Sequence, residues 1–396
     1  MTTMRRGNGE GSVTAEPERG GYAGKVRVTD PSTGASRRVT VRGKTRKEVR
    51  DKLREVVKRS EAGRAVVDSR LTVKAYLERW QNAGLVARGR GRSTVQGYRY
   101  AIERQLVPFL GDLPLNRLRS SDVERFLVAM AKGEVGERKR PYAESTIRTS
   151  FTVVKLALDD AVRDGLLARN PAASVTRPKV SRQEARVLTP DETRRLLKAA
   201  EKHRLYPWLI LVGSLGLRKG ESLALRWEDL DLEAGTLKVT GTLNRFRGAD
   251  GKWQLERGEP KAKSRRTLDI SETPALVELL RKVKRSQAEE KLKAGAAWTE
   301  KGVVFSTPLG TYVDPRNALR AVKGWAEKAG LDAGVCVHTM RHTSATAQLD
   351  AGLSPKVVAE VLGHSDTRVT METYAHALDP AKARAVKASA ALFGAG

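Results

Sequence analysis

The sequence predicts a multidomain, mainly helical protein. A small α+β unit opens the chain, an all-α bundle follows, and a mixed, mainly-α domain with a small antiparallel sheet fills the C-terminal half. Three observations carry that prediction. The first is size, because 396 residues are too many for a single hydrophobic core. The second is periodicity. Apolar residues alternate every two positions near 20–43 and 236–270, and follow helical spacing over most of the remainder. The third is charge: Lys and Arg number 74 against 46 Asp and Glu, a formal net charge of +28, with 40% hydrophobic residues. Such a chain has apolar residues enough for real cores and a surface suited to a polyanionic partner. The single cysteine, Cys336, excludes a disulfide scaffold and a cysteine-rich zinc module. The longest apolar run, 208–217, is too short to span a bilayer, so no membrane partner is expected. Residues 1–11 lack the apolar stretch of a secretory signal, which predicts a protein that stays inside the cell.

Residues 1–67 form the first unit and carry 17 Lys and Arg against 8 Asp and Glu. Tyr22, Val26 and Val28, then Val39 and Val41, mark two strands over 20–29 and 37–43. Asp30-Pro31-Ser32-Thr33-Gly34 is the turn between them. Thr45-Arg46-Lys47-Glu48 has the form of a capping box and opens a helix to about residue 62. A small sheet with a positive face fits a DNA groove; a solvated basic appendage is the alternative.

Residues 70–175 form the second unit. Helical spacing covers 71–83, 93–107, 121–130 and 143–164, with capping boxes expected at Ser93 and Ser121. Gly111-Asp112-Leu113-Pro114 and Gly165 interrupt it, and basic clusters at 88–92 and 138–140 suit contacts to a DNA backbone. Residues 176–187 are polar, charged and unpatterned, which marks a linker. Residues 188–396 form the third unit, opened by Thr189-Pro190-Asp191-Glu192 as a helix start. Strands are expected at 236–242 and 266–270, with 244–259 looping out between them. Helices are expected at 273–293, 315–329, 341–351, 355–363 and 367–375. A last amphipathic helix over 381–396 places Val386, Ala390 and Phe393 on one stripe.

Four of the five histidines lie between 338 and 376. His338 and His342 stand at zinc spacing, yet the glutamate of a metalloprotease pair is missing and no further ligand cluster completes a site. What remains is a set of arginines, a lysine, imidazoles and a tyrosine. Metal-free attack on a phosphodiester needs such groups: guanidinium forks, a proton donor and a hydroxyl nucleophile.

The sequence resembles the tyrosine recombinases, specifically the phage-type integrases. The resemblance rests on Gly216-Leu217-Arg218-Lys219-Gly220-Glu221, Pro260-Lys261-Ala262-Lys263-Ser264-Arg265-Arg266, His338-Thr339-Met340-Arg341-His342, Leu362-Gly363-His364-Ser365 and Tyr374-Ala375-His376, in that order. It implies that Tyr374 is the nucleophile, leaving a 3′-phosphotyrosine and a 5′-hydroxyl. It implies that Arg218 and Arg341 clamp the phosphate, that His338 is a general acid/base and that His364 hydrogen-bonds the phosphate. Glu221 would steady Arg218. Lys261 would protonate the leaving oxygen; Lys263 alternates with it, and counting back from Arg266 favours Lys261. By the same resemblance, 1–67 is similar to an arm-type DNA-binding domain, 70–175 to a helical core-binding domain and 188–396 to the catalytic domain. The implied partners are double-stranded DNA attachment sites and three further copies of the chain in a tetramer, with a DNA-bending host factor and an excisionase as further candidates. The implied setting is the cytoplasm of a bacterial host, with no cofactor and no metal. Two other activities share parts of this signature: a type IB topoisomerase, and a DNA-binding architectural protein with a silent site.

Overall fold

The structure, a computed structural model, describes residues 12–29, 36–61, 71–89, 91–137, 139–181, 185–248, 250–260, 264–364, 366–373 and 390. It divides into two compact units, Met1–Ser181 and Arg182–Gly396. The division falls inside the unpatterned stretch 176–187. Several expected features lie outside the described residues: the turn at 30–34, Arg138, Lys261, Lys263, Tyr374, His376 and, apart from Ala390, the helix over 381–396.

The first unit begins with a sheet of order β1-β2-β3, formed by β1 (Ser12–Glu16), β2 (Gly21–Thr29) and β3 (Ser36–Gly43). Helix α1 (Arg46–Glu61) covers one face through Val49 and Leu53, which meet Val26 and Val28. Gly24 permits that approach, since a Cβ there would lie 2.6 Å from both Val49 and Leu53. Alternation leaves Lys25, Arg27, Arg38 and Arg42 exposed on the opposite parity. Arg27 and Arg38 stand directly opposite each other in the ladder. β1 was not expected; it is a short edge strand whose single packing residue, Val13, gives almost no periodic signal. At the start of α1 the Thr45 hydroxyl accepts the Glu48 N–H at 3.1 Å, and Glu48 reaches back to the Lys44 N–H at 2.9 Å.

The helical part contains α2 (Val73–Ala87), α3 (Arg92–Ala101), α4 (Val107–Leu110), α5 (Ser120–Lys132) and α6 (Glu144–Arg163) around a core that includes Tyr76, Leu77, Ile102, Phe126 and Leu158. A wider π-type turn, Ile102–Leu106, joins α3 to α4, just ahead of Pro108, which has no N–H for the regular ladder. It turns Gln105 inward to accept from Ser150. The expected capping boxes are displaced. α3 follows extended Gly91, so Ser93 lies inside the helix, and α5 follows extended Arg119, whose N–H donates to Asp122 at 2.9 Å. Buried Asp160 ties α2 to α6, accepting from the Trp80 indole at 2.7 Å and pairing with Arg88 and Arg163.

The second unit is built from α7 (Pro190–Ala200), α8 (Tyr206–Leu215), α9 (Lys219–Leu223), β4 (Leu230–Asp231), β5 (Thr236–Val239), β6 (Thr242–Arg247), β7 (Trp253–Gly258) and β8 (Arg266–Asp269). α10 (Pro274–Ala294), α11 (Pro315–Lys328), α12 (Val337–Asp350), α13 (Pro355–Leu362) and α14 (Thr367–Thr373) complete it. The antiparallel sheet has the order β4-β5-β8. Residues 244–259 do not loop out: β6 and β7 pair as a separate antiparallel hairpin, because Leu243, Phe246, Trp253 and Leu255 give each arm strand-forming residues. The apolar core gathers around fully buried Trp208 and includes Leu211, Leu217, Leu237, Leu280 and Val322. Thr189 caps α7 reciprocally with Glu192, as its sequence indicates. α12 begins at Val337, four residues before its expected start. Cys336 is therefore a half-buried residue at the helix entrance. Among the described residues no helix is long and apolar enough to cross a membrane.

Candidate active site

Two helix ends frame the site. α8 closes on Gly216 and α13 on Gly363, both left-handed, with φ of +60° and +65°. They touch: a Cβ on Gly216 would lie 2.4 Å from the Leu362 side chain. The last carbonyls of a helix carry the negative end of its dipole and attract cations. Arg341, on α12 and only 2% exposed, donates from Nη1 to the Gly216 carbonyl at 2.6 Å and from Nη2 to the Leu362 carbonyl at 2.8 Å. Arg218 reaches the same corner, donating from Nη2 to the Gly363 carbonyl at 2.9 Å and from Nη1 to the Leu362 carbonyl at 3.5 Å. One carbonyl thus receives both guanidinium groups. Arg218 keeps 36% of its side chain exposed and is the more open of the two.

Glu221 holds Arg218 from below. The sequence places both on one helical face; the structure instead makes Arg218 the extended residue before α9 and Glu221 the third residue of that helix. Contact survives the change, with Nη1 to Oε1 at 2.7 Å and the Arg218 backbone N–H donating to Oε2 at 3.2 Å. Burial pushes the Glu221 carboxyl up, but the charges and hydrogen bonds of Arg266 and Arg218 outweigh it and leave it below the ordinary carboxylate value.

Arg266 was missed as a site residue. It donates from Nη2 to Glu221 Oε2 at 3.1 Å, from Nε to the Val361 carbonyl at 2.6 Å and from Nη1 to the Ser264 carbonyl at 3.0 Å. Burial holds its pKa below the usual arginine value despite Glu221. A signal for it exists: along β8 it shares parity with Leu268 and Ile270, both buried, so an arginine there faces the interior.

The imidazoles gather around the arginines. His338 and His342 lie one turn apart on α12, edge to face with ring centres 4.7 Å apart. Burial of the ring, with the Arg341 and Arg218 charges, lowers the His338 pKa below its ordinary value although the residue keeps an exposed edge. Burial, then His338 and Arg341, take His342 down to about 4. Burial, then Arg341, Arg218, Arg266 and His342, take His364 to about 4. The Nδ1 of His364 is 2.7 Å from the hydroxyl of fully buried Thr370 on α14. These shifts favour the neutral form of all three rings near pH 7 and leave the positive charge to the arginines. Among the described residues, no group of three His, Cys, Asp or Glu is placed to hold a metal ion.

The arrangement therefore brings together five of the seven residues singled out in the sequence: Arg218, Glu221, His338, Arg341 and His364. Tyr374, the residue after α14, and Lys261 lie outside the described residues. Two guanidinium groups, neutral imidazoles and one carboxylate already paired make a corner suited to a tetrahedral oxyanion.

Comparison with known proteins places the chain in context. Residues 186–380 match the sequence model of the Phage integrase family. A tyrosine recombinase XerC-like protein from Caldanaerobacter subterraneus subsp. tengcongensis is 32% identical over 265 residues, covering 63% of this chain and 67% of that protein. An integrase from Streptomyces ambofaciens is 27% identical over 392 residues, covering 95% of this chain and 94% of its own. Among solved structures, the Tn1549 transposon integrase in complex with transposon right end DNA aligns with a TM-score of 0.63 at 21% identity, over 80% of this chain and 99% of that one. A lambda integrase dimer bound to a COC′ core site aligns with a TM-score of 0.57 at 17% identity, over 93% and 96%.

Proposed function

The chain belongs to the phage integrase family, the tyrosine recombinases, and from that premise we propose a reaction centre at the Arg218–Arg341 corner, which takes the scissile phosphate of double-stranded DNA. The protein is a site-specific recombinase that cleaves and rejoins DNA. The observation that carries the assignment of its site is the convergence of Arg218 and Arg341 on the Leu362 carbonyl.

In the proposed step the Tyr374 phenol oxygen forms a bond to phosphorus and the bond from phosphorus to the 5′-oxygen breaks. A free phenol has a pKa of about 10, so it needs a proton acceptor near pH 7. His338 fits that role because burial, with the Arg341 and Arg218 charges beside it, favours its neutral form. Lys261, or Lys263 in its place, returns a proton to the 5′-oxygen. In the tautomer this step requires, the Thr370 hydroxyl donates to Nδ1, and His364 carries its proton on Nε2 and offers it to a non-bridging oxygen; the Nδ1–Thr370 contact is compatible with it. Charge rises on those oxygens in the transition state, and two planar guanidinium forks meet it. Attack by a 5′-hydroxyl on the 3′-phosphotyrosine reverses the step and rejoins the strand.

The N-terminal sheet is proposed as a separate DNA-binding module for arm-type sites. Its support is the Arg27–Arg38 pair: like charges directly opposite each other in a ladder are destabilising, and an anion between them removes the repulsion. The helical part, residues 70–175, is proposed to bind the crossover core. Assembly as a homotetramer on two duplexes, with a bending factor or excisionase, extends the same proposal.

The test is covalent capture. Incubated with a nicked attachment-site duplex in EDTA, the wild-type chain gives a protein–DNA band on a denaturing gel. Tyr374→Phe abolishes the band and keeps specific DNA binding. A band that survives in Tyr374→Phe overturns the assignment.

A further inference from the structure

We propose that Arg266 is a positioning residue for cleavage, acting through Glu221 to keep one edge of Arg218 available to the phosphate; this rests on the reaction assigned above. Removing a guanidinium from water is costly and is repaid only by good geometry. Arg266 has that geometry, with its three donor nitrogens on the Glu221 carboxylate, the Val361 carbonyl and the Ser264 carbonyl. It thereby joins β8, α9 and the end of α13, the elements next to Lys261, Arg218 and His364. Gly363 leaves room for it, since a Cβ there would stand 2.6 Å from Arg266 Nη1.

The consequence for Arg218 lies in how Glu221 divides its lone pairs. Oε2 is taken by Arg266 and by the Arg218 backbone N–H, at 3.1 and 3.2 Å. Only Oε1 is left to grip the Arg218 guanidinium, through Nη1 at 2.7 Å. The Nη2 edge therefore points elsewhere, to the Gly363 carbonyl at 2.9 Å. Without Arg266, Oε2 keeps only the Arg218 backbone N–H and has a lone pair free for the Arg218 guanidinium, and the carboxylate has its full negative charge to share with it. The bidentate pairing that follows is strong, and it turns the fork away from the phosphate.

A double-mutant cycle on the full-length chain tests this. The probe is a nicked attachment-site duplex that traps the phosphotyrosine, and the readout is the rate of covalent complex formation. Arg266→Gln should slow trapping about 10- to 100-fold, the scale on which outer partners of a functional side chain act. In an Arg218→Ala background the same change should cost no more than about twofold, because its target is already gone. A scissile methylphosphonate, lacking one negative oxygen, should narrow the gap between wild type and Arg266→Gln, and affinity for intact duplex should not change. Circular dichroism checks folding; if Arg266→Gln is unfolded, Arg266→Lys, which keeps the charge and loses the fork, takes its place in the cycle. Costs that multiply in the double variant, or an unchanged rate in the single one, overturn the proposal. A wild-type chain that traps no DNA fails the reaction assignment instead, and the two failures are distinguishable.

Discussion

A histidine among arginines is held uncharged, and this makes the site sensitive to acid. Free in an unfolded chain, His342 has an ordinary pKa of about 6.5. Folded, burial and the neighbouring His338 and Arg341 bring it to about 4. Between those two pH values the unfolded chain binds a proton that the folded chain refuses. Stability therefore rises with pH across that window and is complete above it. His342→Gln removes one such proton. Thermal unfolding at pH 7.5 and 5.5 should show a smaller loss for His342→Gln than for wild type, by on the order of 1 kcal/mol. Equal losses would show that His342 does not titrate in this way. Residues of this kind were legible in the sequence only as an ordered set: Arg218, Glu221, Arg341 and His364 stand in recognisable motifs. Arg266 is inconspicuous in its motif because it stands beside Arg265 as a second basic residue, and only the strand parity it shares with Leu268 and Ile270 distinguishes it. Thr370 escaped because nothing local links it to His364.

Among the elements, the helices expected from apolar spacing stand within a few residues of their places and β2, β3, β5 and β8 follow from alternation, while α8 is not among the expected helices because its unbroken apolar run has no period. The misses have physical causes. β1 is an edge strand held by its partner, and its own composition hardly identifies it. The π-type turn before α4 is imposed by Pro108 and by the buried Gln105–Ser150 pair, a tertiary contact. The β6–β7 hairpin reads as a loop in the sequence because Gly248, Asp250, Gly251 and Lys252 at its tip mask the alternation of its arms. The N-terminal sheet also carries a conflict between stability and use. Arg27 opposes Arg38 across the ladder, so Arg27→Thr should raise the melting temperature of the N-terminal sheet by relieving repulsion worth about 0.2–1 kcal/mol. The same change should weaken DNA binding by the full-length chain, measured by fluorescence anisotropy. A variant that lowers both, or leaves binding untouched, argues against a role for this face in holding DNA.

For the molecule as a whole, a net charge of +28 makes salt the main control on DNA binding. If residues 1–67 are a second grip on separate sites, a chain starting near residue 68 should still bind and cleave core sites. Its recombination of full attachment sites should be lost, and its plot of log affinity against log salt should be less steep by about 0.9 for each phosphate contact removed. Recombination at the wild-type level by the shortened chain would show the module to be dispensable. The division between Ser181 and Arg182 falls within residues 176–187, which have no apolar pattern.

The carbonyls at the ends of α8 and α13 have a last consequence, for selectivity among charge states. Arg218 and Arg341 do not wait empty; they are already satisfied by the oxygens of Gly216, Leu362 and Gly363. At the proposed site, binding a phosphate is then an exchange, one acceptor displacing another. A singly charged diester in intact DNA gains modestly over a peptide oxygen at the negative end of a helix. The more highly charged phosphorane that follows tyrosine attack gains far more from the same swap. If the scissile phosphate docks here as proposed, those carbonyls set a threshold that the more highly charged phosphorane clears more easily than the diester, so the exchange would favour the transition state over the ground state.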